Sequence, residues 1–267
     1  MRNMNANGRL SLQSNKLRMD DDVTSSMLYY MPFDSNDFTQ IPLALNGIKK
    51  GNLYDVYLDG TSLILTDPWL NNSTPSIARV PCGTLYFDSS ERLYLGTIHA
   101  IEDDFVKWQT RPVATAYGCN NELGLFNAYN RLPVEAINRN LNTTWNYASS
   151  SLRLADNSNR FRINWVDGLG DVCCKGVYLA SVAGANSSAA AATIGVGLDQ
   201  DSYPLNWDGA LEQAALNNTA SGIPLRGTNW VNGIIGRHFW QAIEQSTSVP
   251  ISFYGNNFAC LTIELSV

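Results

Sequence analysis

Charge is scarce in this 267-residue chain: Asp, Glu, Lys and Arg make up 16% of it, well under the usual quarter. Its 18 basic residues face 24 acidic ones, a formal net charge of −6, and no Lys/Arg run stands out. A polyanion is held by a dense basic surface that releases counterions, so nucleic acid is excluded as a partner. No apolar run reaches the roughly 18 residues that span a bilayer, and no membrane insertion is expected. Met1 to Arg18 is polar and mildly basic, with no apolar segment. It does not read as a signal peptide, and synthesis in a cytosol is expected.

Catalytic punctuation is equally thin. Only two histidines occur, His99 and His238, and neither has a Cys or His at metal-ligand spacing, so each reads as a structural residue. The five cysteines (Cys82, Cys119, Cys173, Cys174, Cys260) are odd in number and scattered, which suits reduced, core-filling thiols. Cys173 and Cys174 are adjacent on an expected strand and point to opposite faces, so they neither bridge nor share a zinc. There is no Gly-x-Ser-x-Gly elbow and no Gly-rich phosphate loop. Asp199-Gln-Asp201 starts like a calcium loop, but Tyr203 and Pro204 stand where further ligands and a Gly belong. Asp20-Asp21-Asp22 and Glu102-Asp103-Asp104 read as solvated turns. The sequons at Asn72, Asn142 and Asn186 fit chance in an Asn-rich chain. No catalytic residue, metal or cofactor is expected.

What the chain has is β signal. Leu53–Leu58 alternates, and Asp59-Gly60 turns it into Ser62–Leu65, the strongest short hairpin signal there is. Gly83–Phe87 and Arg92–Ile98 repeat the pattern around residues 88–91. Phe161, Ile163 and Trp165 alternate with Arg162 and Asn164, which puts the two sets on opposite faces. Val172–Val182, Ile194–Leu198, Arg237–Gln245 and Phe258–Leu265 read as further strands. Helix formers gather in Gly209–Asn217, where one short helix is expected.

Leu123–Val134 combines aromatics, an Asn-Arg pair and a Pro, and reads as a seam. The expected architecture is all-β. An extended arm (1–25) leads into a hairpin-rich domain (26–122); a junction (123–134) then leads into a jelly-roll-like β-sandwich (135–267), with trimerisation as one way to cover strand edges. In the junction Phe126 and Tyr129 would share one face of a helical turn and pack the two blocks together, with Arg131 fixing the exit. Seven Trp and twelve Tyr are available for contacts. Trp69, Tyr203, Trp207 and Trp230 fall in loop-like sequence, where stacking on a sugar ring or a receptor is expected.

The ordered series Gly8–Leu12, Leu28–Pro32, Tyr54–Tyr57, Trp69, Arg79, Arg92–Thr97 and Phe126–Arg131 resembles a family of tailed-bacteriophage virion proteins, the tail-fibre-like or minor structural proteins. Trp145-Asn-Tyr147, Ile194–Asp199, Gly236–Trp240 and Phe253–Gly255 continue it more weakly. The chain departs from the family at Met31 and in the acidic linker 102–104. The resemblance implies a non-enzymatic virion component, a homotrimer assembled in the bacterial host. It would contact other phage proteins and meet a host surface polysaccharide or receptor. The alternatives are a head decoration or head-fibre protein gripping the capsid with its arm and, in another class, a polysaccharide depolymerase working through Asp/Glu pairs.

Overall fold

The computed structural model describes residues 8–12, 23–32, 40–110, 121–140, 142, 144–159, 161–184, 190–200, 212–216, 222–247, 249–255 and 259–267. Among these there are 23 strands, one 3-10 turn at Ala155–Asn157 and no α-helix. The chain is all-β.

The first strands are β1 (Gly8–Leu12), β2 (Val23–Ser25), β3 (Met27–Pro32) and β4 (Ile41–Ala44). Next come β5 (Leu53–Asp59), β6 (Ser62–Leu65), β7 (Val80–Cys82), β8 (Leu85–Phe87), β9 (Leu93–Glu102) and β10 (Phe105–Trp108). The middle supplies β11 (Asn121–Leu123), β12 (Leu125–Asn127), β13 (Pro133–Arg139), β14 (Thr144–Tyr147), β15 (Arg153–Leu154) and β16 (Arg162–Asp167). The rest are β17 (Cys173–Gly184), β18 (Ala190–Leu198), β19 (Glu212–Leu216), β20 (Ile223–Asn232), β21 (Gly236–Ser246), β22 (Ile251–Tyr254) and β23 (Cys260–Ser266).

The hairpin signals hold. β5 and β6 pair through Asp59↔Ser62, and Gly60 takes the positive φ (60°) that this tight turn demands. β8 and β9 meet at Phe87↔Leu93. Asp88 accepts the backbone N–H groups of Ser90 and Arg92, fixing the turn between them. The two faces expected in β16 are kept, with Ile163 and Trp165 fully buried on one side, but burial does not alternate: on the other side Arg162 is half-buried while Asn164 and Val166 are buried.

Two expectations fail. Residues 212–216 form no helix; they are β19, paired antiparallel with β18. Local helix preference is weak, and a partner strand outweighs it. The chain also does not divide at 123–134. One 14-stranded sheet runs β19-β18-β21-β16-β11-β10-β9-β5-β6 through that region, with β2, β7, β8, β12 and β15 attached. β11 pairs antiparallel with β10 and parallel with β16, so the sheet passes through the expected seam. The described parts of the arm are built in as well. β1 is buried throughout and pairs with β3 and, through it, β4. β2 pairs with β10.

A six-stranded sheet, β13-β23-β17-β22-β14 with β20 on β17, packs on the C-terminal part of the large sheet as a β-sandwich. Cys174, Tyr178, Leu261 and Ile263 face inward against Trp165, Val196 and Trp240. Trp240 donates its indole N–H to the Cys174 sulfur at 3.1 Å. Cys173, next in the chain, is exposed, so the two thiols do point apart. The sheets approach closely at glycines. A Cβ on Gly227 would stand 2.6 Å from the Gly195 Cα, and no side chain can yield there. Gly227→Ala is therefore expected to cost about 1–3 kcal/mol, through forced separation of the sheets. A urea-denaturation midpoint equal to that of the wild type would contradict so tight a contact.

Candidate functional site

Around the middle of the chain the expected packing residues are connectors: Phe126 lies in a strand, Tyr129 and Arg131 in the bend and loop that follow it, and none in a helix. Phe126 is fully buried in β12, which pairs with β9. Thr97 stands opposite it, and Gly96, opposite Asn127, leaves no room for a side chain, because a Cβ would collide with the Phe126 carbonyl oxygen. The helical turn expected for Phe126 and Tyr129 does not form, since β9 offers Phe126 a ladder. Asn130, at φ 52°, then turns the chain. The Tyr129 hydroxyl accepts the Tyr86 N–H at 2.8 Å, and burial pushes that phenol up to about 12. Arg131 lies 4.7 Å from the Phe126 ring centroid, donates to the Asn127 carbonyl, and pairs with Asp171 at 2.8 Å. Asn127 and Asn130 in turn hold β1: the Asn127 side chain takes the Leu10 N–H at 2.7 Å, and Asn130 donates to the Gly8 carbonyl at 2.9 Å.

A second buried cluster surrounds Asp55 on β5. Its carboxylate takes the Arg79 guanidinium at 2.7 Å, the Trp69 indole N–H at 2.9 Å and the Thr97 hydroxyl at 2.8 Å. Arg79 lies between the Trp69 and Tyr94 rings and donates onward to the Gly168 carbonyl. Trp69, read from sequence as a surface aromatic, is 7% exposed. Its indole is spent on Asp55 because an unpaired N–H in a core is costly.

The most chemically equipped surface is a cleft of about 390 Å³ lined by Lys50, His99, Glu102, Lys107, Asn164 and Arg237, with Glu122 at its floor. Topology builds it. The β9–β10 hairpin forks beyond Ala100↔Val106, and Gly124 sits in the fork, with its N–H on the Lys107 carbonyl and its C=O on the His99 N–H. A Cβ there would stand 2.8 Å from the Lys107 oxygen. β11 then runs on from β10 to β16, which places Glu122 opposite Asn164. The His99 Nδ1 meets the Glu122 carboxylate at 2.8 Å, and both residues are about 95% buried (4% and 5% exposed). The Arg237 Nε is 3.7 Å from the same oxygen, and its Nη2 donates to the Asn164 Oδ1 at 2.8 Å. Burial alone would raise the Glu122 carboxyl. The hydrogen bond and charge of His99, with Arg237 and Lys107, outweigh it and hold the group below its ordinary value.

His238 is also paired, to Asp199 at 2.6 Å, and its ring packs on Trp165. Asp199 spends its other oxygen on the Phe239 N–H, so this carboxylate is committed inside the fold. Among the described residues no three His, Cys, Asp or Glu side chains converge as metal ligands. Of the aromatics expected at a surface, Trp230 on β20 is 75% exposed. It stands opposite Lys175 on the outer face of the six-stranded sheet, one register pair from Glu264. Tyr203 and Trp207 lie outside the described residues. The His99–Glu122–Arg237 group had no sequence signal, because its members are brought together by strand pairing across 138 residues of chain (99 to 237).

No family model and no curated protein matches the chain. Among solved structures, it is similar to the crystal structure of dimeric latent PorU from Porphyromonas gingivalis. That match has 8% identity and a TM-score of 0.29, over 83% of this chain and 22% of that one. Likeness that low assigns neither fold family nor function.

Proposed function

We propose that the chain is a non-enzymatic structural protein of a tailed-bacteriophage virion, a tail-fibre, spike or tip component that contributes to host attachment. The observation that supports this reading is how the residues carrying the family resemblance are used. Gly8–Leu12 is bound by Asn127 and Asn130, and Asp55 by Trp69, Arg79 and Thr97. These separated stretches are one another's partners, which is what a scaffold asks of its recurrent residues. In the same proposal the C-terminal sandwich is a jelly-roll-like module of a homotrimer, and Trp230 is a contact residue on its outer face.

Labelling virions with a gold-tagged antibody against the chain tests the assignment. Tail-tip density is the expected result; purified virions that lack the chain would refute it. Sedimentation of the pure protein is expected to show a trimer. Trp230→Ala should leave stability within about 0.5 kcal/mol, because the side chain is exposed, while weakening competition with phage for adsorption. Unchanged competition would remove Trp230 from the contact surface.

A further inference from the structure

We propose that the cleft above His99 and Glu122 binds an oxyanion, the carboxylate or phosphate group of an anionic ligand. The assignment stands independently of the virion reading. Its cations are Lys50, Lys107 and Arg237, against the carboxylates Glu102 and Glu122. The chain as a whole carries the opposite balance, 18 basic residues to 24 acidic. A local excess of positive charge in a net-negative protein marks the place where an anion would collect.

Geometry assigns each group a task. Of the two carboxylates in the cleft Glu122 is the deeply buried one, and its charge is already answered by His99 at 2.8 Å and Arg237 at 3.7 Å. It orients those two side chains, much as an outer carboxylate orients a metal-binding histidine. With Nδ1 fixed on Glu122, the other nitrogen of His99, Nε2, has no hydrogen-bond partner among the described residues. Arg237 has its Nη2 anchored on Asn164, which fixes the plane of the guanidinium before any ligand arrives. Planar, pre-oriented guanidinium groups suit two-oxygen ligands. A metal cation would instead need uncommitted carboxylates, and Glu122 is committed. The volume, about 390 Å³, falls within the range of small-ligand sites.

The test is isothermal titration calorimetry of the full chain, at constant ionic strength, with inorganic phosphate in one arm and glucuronate in the other. Saturable binding of one equivalent is expected in at least one arm. Phosphate alone would assign a phosphate group, and glucuronate alone a carboxylate. Lys107→Gln is expected to weaken binding about tenfold by removing a charged donor. Lys50 and Glu102 lie exposed at the rim, where substitution does not threaten the fold. Lys50→Gln is expected to weaken binding about twofold, and Glu102→Gln to tighten it about twofold, as screened rim charges do. Opposite signs at two exposed positions keep the test decisive even if Lys107→Gln fails to fold. Absence of saturable binding in both arms, or affinities unmoved by the rim substitutions, would overturn the proposal.

Discussion

Asp55→Ala is expected to destabilise the protein by about 3–5 kcal/mol, the usual cost of stripping one partner from a buried ion pair. The Asp55 side chain is fully buried and that of Arg79 is 6% exposed. Without the carboxylate, Arg79 keeps the Gly168 carbonyl and the faces of Trp69 and Tyr94, none of which neutralises its charge. Trp69 and Thr97 lose their acceptor as well. The destabilisation should appear as a lower urea midpoint at unchanged m-value. Replacing both charged partners with apolar residues, Asp55→Leu with Arg79→Met, should cost less than Asp55→Ala alone, because no orphaned charge is left. A loss under about 1 kcal/mol for Asp55→Ala would show that the cluster contributes less to the fold than its buried ion pair implies.

The second large effect is on pH dependence. Glu244 is fully buried on β21. It accepts the Trp145 indole N–H at 2.9 Å and pairs with Arg153 at 2.6 Å. Burial pushes its carboxyl up to about 7 from an ordinary 4.5, against the pull of Arg153 and Trp145. Between those two values the folded state holds the proton and the unfolded chain does not. Stability from this group is fully present below pH 4.5 and is lost as pH rises to 7, by about 3 kcal/mol in all. Glu244→Gln cannot ionise, so its stability should lack this decline. Urea midpoints from pH 4.5 to 8 on both proteins measure the difference in slope. Parallel curves would mean that Glu244 ionises in the fold as easily as in the unfolded chain.

What the sequence disclosed was local chemistry. Asp59-Gly60 announced its hairpin because the turn type dictates the residues. Alternation in 161–166 predicted which side chains share a face, since the period of a strand is two, but not that Asn164 and Val166 on the other face would be buried as well. Residues 212–216 misled because composition speaks for helix and only the neighbour β18 decides for strand. Trp69 misled because loop-like sequence hid a turn folded back on Asp55, and nothing local marks an indole that will find a carboxylate 14 residues earlier. The His99–Glu122–Arg237 cleft was invisible for the same reason at longer range. Each residue is unremarkable in its own strand, and the site exists only once β9, β10, β11, β16 and β21 are laid side by side.

The parallel pairing of β11 with β16 also imposes a timetable. Asn121 must find Ile163, so the N-terminal hairpins cannot complete their sheet until some forty further residues have left the ribosome. At about 5–20 residues per second, β11 waits for several seconds with one edge unpaired. An unpaired edge is a template for any passing strand. Until β16 arrives, that open edge is the most exposed part of the growing sheet, and closing it joins the first half of the chain to the second.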